Sequence, residues 1–392
     1  MSKFIIENNL RKVIPYYINL ETHVKGRWEG KTLIEVFKSD FGISEQDVLE
    51  DIKNEKLYVI SNINKPNEKA CLKGFDLLIS RPLHAKDLVC HSKHRHEPPI
   101  PYLGRIKSVY EDDELLVVDK PSGVPTHPTG NYYFNSVSEM VKDQFGLEAI
   151  WTCHRLDKVT SGVLIFGKTK SAGLKFLRLI KDHKDQTEKT YLARVVGEFP
   201  NGKLQYNCPI FAVNLNGYLV PGNSEELPLD STTIFQKVSY NASLNQSLVK
   251  CIPITGKFHQ IRIHLRNLGF PIANDSFYRG DNELTNRRCS IEEELYKKLF
   301  QKYPEFKTFG TTRREGFINI DLLDEKLQYG LDELKRDHLQ SLNEQKLSYC
   351  EECHRLLFDD DYRLNPNIWL HALSFSYGEY RFVTEYPEWA NI

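Results

Sequence analysis

The sequence predicts an α+β protein with two domains, and three observations support this. The chain has 392 residues, of which 40% are hydrophobic and 27% charged, a composition that can fill a large core. At roughly 100–200 residues per domain, this length favours two domains. Short apolar runs alternate with amphipathic stretches without a regular β–α–β rhythm, which favours α+β over a doubly wound α/β fold.

The first 95 residues predict a small α+β domain. Residues 32–37 and 48–52 place apolar side chains at helical spacing, and the runs 57–60 and 77–79 are typical of strands. The segment 91–101 (HSKHRHEPPIP) contains three prolines and three histidines, and its prolines exclude a regular helix. We interpret it as a linker between domains 1–95 and 96–392.

The second domain is predicted from strand runs and two helices. The apolar runs typical of strands are residues 115–118, 163–166, 190–196 and, near the end of the chain, 368–383. Residues 170–184 predict a helix whose apolar face is Leu174, Leu177 and Ile180. Residues 255–265 predict a glycine turn that leads into a second helix.

The charges are unevenly distributed. Residues 1–280 carry 37 Lys and Arg against 31 Asp and Glu, whereas residues 281–392 carry 15 against 22. Within this last part, residues 281–348 carry 12 Lys and Arg against 14 Asp and Glu, and residues 349–392 carry 3 against 8. The charged, helix-biased stretch at about 281–348 predicts an acidic surface insertion. We therefore expect a polyanionic partner to bind the first 280 residues, although charge alone leaves open an ordinary solvated surface.

The eight cysteines are scattered, which favours reduced thiols in a cytosolic or organellar protein. Only Cys350 and Cys353 are close in sequence. A structural zinc site needs four ligands, and the sequence has no second CxxC and no HxxxH pair. The expectation is therefore no metal site, with the alternative that zinc recruits a Cys or His from elsewhere in the fold. The histidines His91, His94 and His96 favour RNA or carboxylate contacts over a metal.

Membrane and secretion signals are not evident in the sequence. No apolar run approaches the roughly 18 residues that a membrane-spanning helix needs. The N-terminal residues lack the long apolar stretch of a secretory signal. The expectation is a soluble protein inside the cell, cytoplasmic or also mitochondrial.

The segment 153–166 (CHRLDKVTSGVLIF) is the richest in chemically capable side chains. Asp157 lies on its polar loop, directly before a predicted buried strand. One interpretation is a turn aspartate that bonds Thr160 or Ser161. The other is a reactive carboxylate, which a cation such as Arg262, in the first turn of the second predicted helix, would hold ionised.

Five motifs occur in series along the chain: VVDKPSGVPTHP at 117–128, HRLDKVTSGVLIFGKT at 154–169, KTYLARV at 189–195, TGKFHQIRIHLRNLGFPIANDSFY at 255–278 and IWLHALSF at 368–375. Together they resemble the RluA family of pseudouridine synthases over about two-thirds of the chain. The resemblance implies the pseudouridine synthase fold, with a mixed, mainly antiparallel central sheet. It also implies an enzyme that isomerises uridine to pseudouridine in RNA.

The resemblance assigns roles to individual residues. Asp157 matches the catalytic aspartate, Tyr191 the tyrosine that stacks on the uracil and takes the proton from C5, and Arg262 the basic partner of the aspartate. Arg155 matches a residue that helps to flip or replace the target base. The other residues expected to contact the substrate are His154, Leu156, Lys120, His127, His259, Gln260 and Lys257. The chain departs from the family at 257–258, where Lys-Phe replaces the more frequent Arg-Thr.

The implied reaction explains why these residue types are needed. The N1–C1′ bond of uridine breaks and the base rejoins through C5, so neither an oxidant nor an energy source is required, and no cofactor is expected. The carboxylate either attacks C1′ or removes a ribose proton, and both routes stay open. The target base must leave the stack to be reached.

The N-terminal and linker sequences suggest the RNA substrate. Residues 26–37 (GRWEGKTLIEVF) resemble the first helix of an S4-like RNA-binding domain, with a generic small α+β domain as the alternative. The segments 91–104 and 10–17 are similar to fungal and other eukaryotic family members that act on the tRNA anticodon stem-loop near positions 31 and 32. We therefore expect tRNA as the partner of a monomeric enzyme, with neither DNA nor a membrane. The alternatives are a ribosomal RNA synthase and a non-catalytic RNA-binding protein on the same scaffold.

Overall fold

The computed structural model describes two compact units of this chain. The described residues are 4–41, 43–182, 186–208, 210–215, 218–222, 231–280, 286, 290, 294, 329, 348–353, 357–358 and 367–392. The small unit comprises residues 14–96 and 350–355, and the large unit comprises 1–13, 97–349 and 356–392. The predicted acidic insertion at about 281–348 lies almost entirely outside the described residues.

The strands and helices are numbered here in chain order. The strands are β1 (Phe4–Glu7), β2 (Leu10–Val13), β3 (Tyr16–His23), β4 (Leu57–Ser61), β5 (Ala70–Leu72), β6 (Leu88–Arg95), β7 (Ile100–Pro101), β8 (Lys107–Glu111), β9 (Leu115–Lys120), β10 (Trp151–Thr152), β11 (Ser161–Gly167), β12 (Thr187–Val196), β13 (Lys203–Cys208), β14 (Phe211–Leu215), β15 (Tyr218–Gly222), β16 (Ser231–Asn241), β17 (Gln246–Pro253), β18 (Leu370–Tyr377) and β19 (Tyr380–Val383). The helices are α1 (Leu33–Phe41), α2 (Glu45–Lys53), α3 (Phe75–Leu78), α4 (Val137–Phe145), α5 (Lys170–Asp182) and α6 (Gln260–Asn267).

In the small unit, α1 and α2 share one core with a sheet of strand order β3-β6-β4-β5. Its first helix begins with a capping box, in which the Glu35 backbone N–H donates to Thr32 Oγ1 and Glu35 Oε2 accepts from the Thr32 backbone N–H. Ser44 caps α2 in the same way as Thr32 caps α1. The core contains side chains from both helices and from β4: Leu33, Val36, Phe37, Val48, Ile52, Leu57 and Val59.

Three sequence-based expectations for the N-terminal region differ from the structure. Residues 77–79, predicted as a strand, lie at the end of the short helix α3. The segment 91–95, predicted as part of a linker, is the end of β6 and pairs with β3. Residues 4–13 form a hairpin that pairs with β7 in the large unit. Backbone pairing with strands distant in sequence decides the last two, whereas local hydrogen bonds from Leu78 and Ile79 to Gly74 and Phe75 form the turn of α3. The likeness to an S4 domain stays a prediction.

The large unit is built on one sheet with the strand order β13-β16-β17-β12-β18-β11-β9-β8, and β10 and β19 pair with β11 and β18. The described strands of this sheet all pair antiparallel except β11 and β18, which run parallel. This confirms the predicted mixed, mainly antiparallel sheet. The apolar runs of β9 and β11 are buried on both faces, since α4 packs on one and α5 on the other.

The strand β18 lies in the middle of the sheet, between β12 and β11. Its pairing with β11 depends on Gly162, which stands opposite Ala372. A Cβ at position 162 would lie 2.1 Å from the backbone oxygen of Ala372, and its φ of +111° is rarely adopted by other residues. Glycine at this position therefore allows the two strands to approach.

The buried face of α5 differs from the expectation. Leu174 and Leu177, predicted to be buried, are 44% and 42% exposed, whereas Ala172 and Phe176 are buried. The helix approaches β10 at Gly173, where an added Cβ would lie 2.4 Å from the Cβ of Trp151. That close approach turns the stripe containing residues 172, 173 and 176 toward the sheet.

No helix among the described residues is both long and apolar enough to cross a membrane.

Candidate active site

Asp157 lies on the loop between β10 and β11, and a neighbouring loop after β9 clamps this segment. Thr126 Oγ1 donates to the Leu156 carbonyl over 2.9 Å, and the Leu156 N–H donates back to Thr126 Oγ1 over 3.2 Å. The Gly123 N–H donates to the carbonyl of Lys158. These bonds hold the backbone on both sides of Asp157, so its carboxylate is carried by a fixed loop.

Lys120, at the end of β9, fastens the same loop from inside the protein. Its side chain is fully buried, and Nζ donates to the carbonyls of Pro121, Lys158 and Thr160 at 2.9, 3.1 and 2.7 Å. Burial lowers the pKa of Lys120 to about 7, against the attraction of Asp157, which raises it. The ammonium of Lys120 is thus enclosed by backbone carbonyls, and its expected contact with the substrate stays a prediction. Lys120 positions the loop that carries Asp157.

Arg262, in the first turn of α6, is held by a carboxylate to which the sequence analysis gave no role. Its Nε and Nη2 donate to the two oxygens of Asp275 over 2.7 and 2.9 Å, and both side chains are almost completely buried. This two-bonded geometry fixes the plane of the guanidinium. The remaining nitrogen, Nη1, lies 3.1 Å from His259 Nε2 and 4.0 Å from Asp157 Oδ2.

The carboxylate of Asp157 faces two basic side chains and remains 25% exposed. His259 Nε2 lies 3.7 Å from Asp157 Oδ2, close to the Arg262 nitrogen. Desolvation raises the pKa of Asp157 above its ordinary value, although the charges of Arg262, Arg155 and Lys120 oppose this. The structure thus places Asp157 opposite Arg262, as predicted, but the two are not in direct hydrogen-bond contact.

His259 connects α6 to the residues that follow it. It adopts a left-handed backbone with φ of +52° directly before the helix, and its Nδ1 lies 2.9 Å from the hydroxyl of the buried Tyr278. Because a guanidinium only donates, Nε2 accepts from Arg262 and Nδ1 carries the proton toward Tyr278. The ring of Phe258 stacks on His259 with centroids 3.7 Å apart. Phe258, which replaces the threonine more frequent in the family, therefore packs on a residue of the site.

Tyr191 lies in β12, which pairs with β18 and β17. Burial, followed by the negative charge of Asp157, raises the pKa of Tyr191 well above its ordinary value. The phenol is therefore protonated at neutral pH, and it lies near enough to Asp157 to be affected by its charge. Tyr191, Asp157 and Arg262 thus belong to one site.

Two further residues expected to contact the substrate bond other groups of the protein, and their contact with the substrate stays a prediction. Gln260 is 4% exposed, and its amide bonds Thr255, Thr232, Thr233 and the Lys257 backbone. His154 Nε2 accepts from the Ile165 N–H, and burial lowers the pKa of His154 to about 3. Both side chains therefore hold backbone segments next to the site in place.

The remaining predicted contacts differ in their exposure. Arg155 is exposed, His127 and Lys257 are half-buried, and Leu156 is buried.

Asp275 and Tyr278 are the site residues that were not predicted from the sequence. Both belong to the motif that ends in IANDSFY, where an acidic residue beside two aromatics was the available signal.

Comparisons with known proteins decide the family. The family model described as RNA pseudouridylate synthase matches residues 114–267, which include Asp157, Tyr191 and Arg262. The tRNA pseudouridine(31) synthase of Saccharomyces cerevisiae is 32% identical, over 98% of this chain and 96% of its own length. The chain belongs to the RNA pseudouridylate synthase family.

A second yeast relative is similar along the whole chain. The synthase is 32% identical to the mitochondrial tRNA pseudouridine(32) synthase of Saccharomyces cerevisiae, over 99% of this chain and 78% of that protein. Among solved structures, human RNA pseudouridylate synthase domain containing 4 is 21% identical over 72% of this chain and 90% of that chain, with a TM-score of 0.42. The family assignment of the synthase rests on the yeast relatives.

Proposed function

We propose that this synthase converts uridine to pseudouridine at position 31 or 32 of the tRNA anticodon stem-loop. The observation that carries the proposal is the 32% identity, over 98% and 99% of the chain, to two yeast enzymes named for these positions. The match includes the small unit as well as the sheet unit that carries Asp157. A shared substrate explains likeness beyond the catalytic residues.

The reaction conserves atoms and electrons. The N1–C1′ bond of uridine breaks, a C5–C1′ bond forms, the proton of C5 is lost, and N1 of the product carries a proton. Asp157 is the group that acts at the ribose, either as a nucleophile toward C1′ or as a base toward a ribose proton. Both roles need the ionised carboxylate, and Arg262 is the cation whose charge acts most strongly to keep it ionised.

Tyr191 is proposed to act on the base after it has turned. A phenol whose pKa is raised stays protonated, so it hydrogen-bonds the uracil ring. Transfer of the C5 proton then requires a group that can receive it, and Tyr191 serves by passing its own proton on as it accepts the new one. We assign Asp157 as the group that accepts the proton released by Tyr191, because the negative charge of Asp157 acts on the Tyr191 phenol.

Arg155 is proposed to enter the RNA when the target base leaves it. Its side chain is exposed and lies two residues before Asp157 on the clamped loop. A base flipped out of the stack leaves a gap, and a guanidinium that fills it lowers the cost of unstacking. The half-buried His127 and Lys257 are proposed as phosphate or sugar contacts beside it.

The proposal includes a monomeric enzyme that works in the cytoplasm or also in mitochondria. One relative is named as mitochondrial, which supports the second compartment. The alternative substrate is ribosomal RNA, and the alternative function is RNA binding without catalysis.

The test is to incubate the purified full chain with unmodified tRNA transcripts and to locate pseudouridine by mass spectrometry of nuclease fragments. The expected result is one pseudouridine at position 31 or 32, lost when that uridine is replaced by cytidine. Asp157→Asn is expected to abolish the product. Asp143→Asn, which changes an exposed carboxylate on α4, serves as the matched control and retains it.

Three outcomes would contradict the proposal. Product in ribosomal RNA but in no tRNA would assign the other substrate. Tight tRNA binding with no product from the wild type would favour the non-catalytic scaffold. Equal product from wild type and Asp157→Asn would remove Asp157 from the reaction.

A further inference from the structure

Two pairs of metal-binding residues that are far apart in sequence meet inside the small unit. His94 is the second-last residue of β6, and His96 directly follows the strand. Cys350 and Cys353 lie on a short turn about 257 residues further along the chain. One ligand atom from each of the four lies within 4.8 Å of all the others. No metal was expected from the sequence because CxxC lacked a second ligand pair, and His94 of β6 and His96 directly after it supply that pair.

The two histidines reach the same place because of the period of a strand. Residues two apart point to one face, so His94 and His96 stand side by side, with ring centroids 4.6 Å apart. His91, three residues before His94, points to the other face, where its Nε2 lies 2.8 Å from Asp51 Oδ2. The strand thus separates the HxH pair from the third histidine of the segment.

The distances between the pairs match a tetrahedral metal centre. His96 Nε2 lies 3.3 Å from Cys353 Sγ, and His94 Nδ1 lies 3.7 Å from Cys350 Sγ. Zinc bonds of about 2.3 Å to sulfur and about 2.0–2.1 Å to nitrogen, at tetrahedral angles, place neighbouring ligand atoms about 3.3–3.8 Å apart. Both nitrogen–sulfur distances fall in this range.

Surrounding groups orient the ligands as outer-shell groups do in zinc sites. His94 turns Nδ1 toward the cysteines, and its other nitrogen, Nε2, lies 3.5 Å from Glu352 Oε2. The hydroxyl of Tyr17 donates to the other oxygen of Glu352, and its ring stacks on His94 at 4.9 Å. A carboxylate behind a ligating histidine fixes the ring and its tautomer.

We infer that His94, His96, Cys350 and Cys353 bind one zinc ion as a structural site. Two thiolates and two imidazoles are the donor set that selects zinc over the hard cations. Four protein ligands leave no open position for a substrate, so the ion stabilises structure instead of taking part in the reaction. It joins the turn at 350–353 to the end of β6. The site lies within the small unit and does not depend on the proposed function.

The first measurement is the metal content of the purified full chain. The protein is prepared with reduced thiols and without a histidine tag, and zinc is measured by inductively coupled plasma mass spectrometry. The expected content is about one zinc per chain. Cys353→Ser and His96→Gln are each expected to lower it at least about tenfold. The controls Cys71→Ser and His84→Gln, which change exposed residues of the same unit, are expected to retain it.

The second measurement uses the wild type alone, so it stands even if a variant fails to fold. Metal-free protein is titrated with Co²⁺, and one equivalent is expected to give the visible bands of a tetrahedral ion and a sulfur-to-cobalt charge-transfer band. Addition of Zn²⁺ should remove both.

Three results would overturn the inference: no stoichiometric zinc in the wild type before or after reconstitution, a Co²⁺ spectrum without a sulfur band, or equal zinc in the variants and their controls. Each of these leaves the proposed isomerisation untouched, because Asp157 and Arg262 belong to the large unit.

Discussion

Arg262 and Asp275 form a buried, two-bonded ion pair, and the one guanidinium nitrogen outside that pair is the nitrogen nearest Asp157. The pair distances are 2.7 and 2.9 Å, and Arg262 Nη1 lies 4.0 Å from Asp157 Oδ2. Asp275 therefore determines where the positive charge faces the reactive carboxylate. It is a positioning residue, because it acts through Arg262.

Removing one partner of the Arg262–Asp275 ion pair should lower the free energy of unfolding more than replacing both partners with neutral amides. Arg262→Gln leaves Asp275 buried without its cation, and we expect a loss of about 3–5 kcal/mol in the free energy of unfolding. The double variant Arg262→Gln/Asp275→Asn joins two neutral amides and should recover most of this loss, although not the activity. Urea unfolding of the two variants and the wild type measures the difference. Equal stability of the single and double variants would contradict the pairing.

The pH dependence of turnover should follow the charge on Asp157. Its pKa is raised by burial and lowered by Arg262, so activity, which needs the ionised form, should fall as pH decreases through a value above that of an ordinary aspartate. Removing the cation in Arg262→Gln should move this acid limb to higher pH. Profiles of kcat/KM against pH for the wild type and the variant check this, with Arg178→Gln on the exposed side of α5 as control. An unmoved limb in Arg262→Gln would argue against the coupling.

The hydroxyl of Tyr191 should matter for turnover and little for binding. Tyr191→Phe keeps the ring that faces the base and removes the group that exchanges a proton, so we expect kcat to fall by about 10²–10⁴-fold. The affinity for tRNA should change by less than about threefold. Single-turnover kinetics and filter binding separate the two. Tyr110→Phe, at the partly exposed Tyr110 of β8, is the control, and a similar loss in both variants would contradict the role.

Lys120 should make stability depend on pH. Its pKa is about 7 in the folded protein and about 10.4 in an unfolded chain, so between these values the unfolded chain binds the extra proton. Stability from this group therefore rises with pH across that window. Compared with Lys120→Met, the wild type should gain about 2 kcal/mol between pH 7 and 9. Urea unfolding at both pH values measures it, and parallel changes in the two proteins would show that Lys120 does not titrate there.

Local sequence patterns predicted the elements whose stability is local. The apolar spacing at 32–37 and 48–52 predicted α1 and α2, and the apolar runs at 115–118 and 163–166 predicted β9 and β11, which are buried as strands. Residues 77–79 were predicted as a strand because three apolar residues in a row carry no period, and the structure makes them helical.

The site was predictable only where a motif named its residues. The motifs identified Asp157, Tyr191 and Arg262, but not which of the other polar side chains turn inward. The side chains of Lys120 and Gln260 point into the protein interior because segments distant in sequence supply the carbonyls and hydroxyls that they bond. The grouping of His94 with Cys350 crosses more than half the chain, and nothing in either short segment indicates the other.

The central place of β18 has a consequence for how the protein is made. On the ribosome, the strand with Tyr191 and the loop with Asp157 emerge long before residues 370–377, the strand that joins β12 to β11. Until β18 is synthesised, the nascent chain lacks the strand that joins these two parts of the sheet. A premature stop codon between residues 279 and 370 would thus yield a protein that contains Asp157, Tyr191 and Arg262 but lacks the strand that joins β12 to β11.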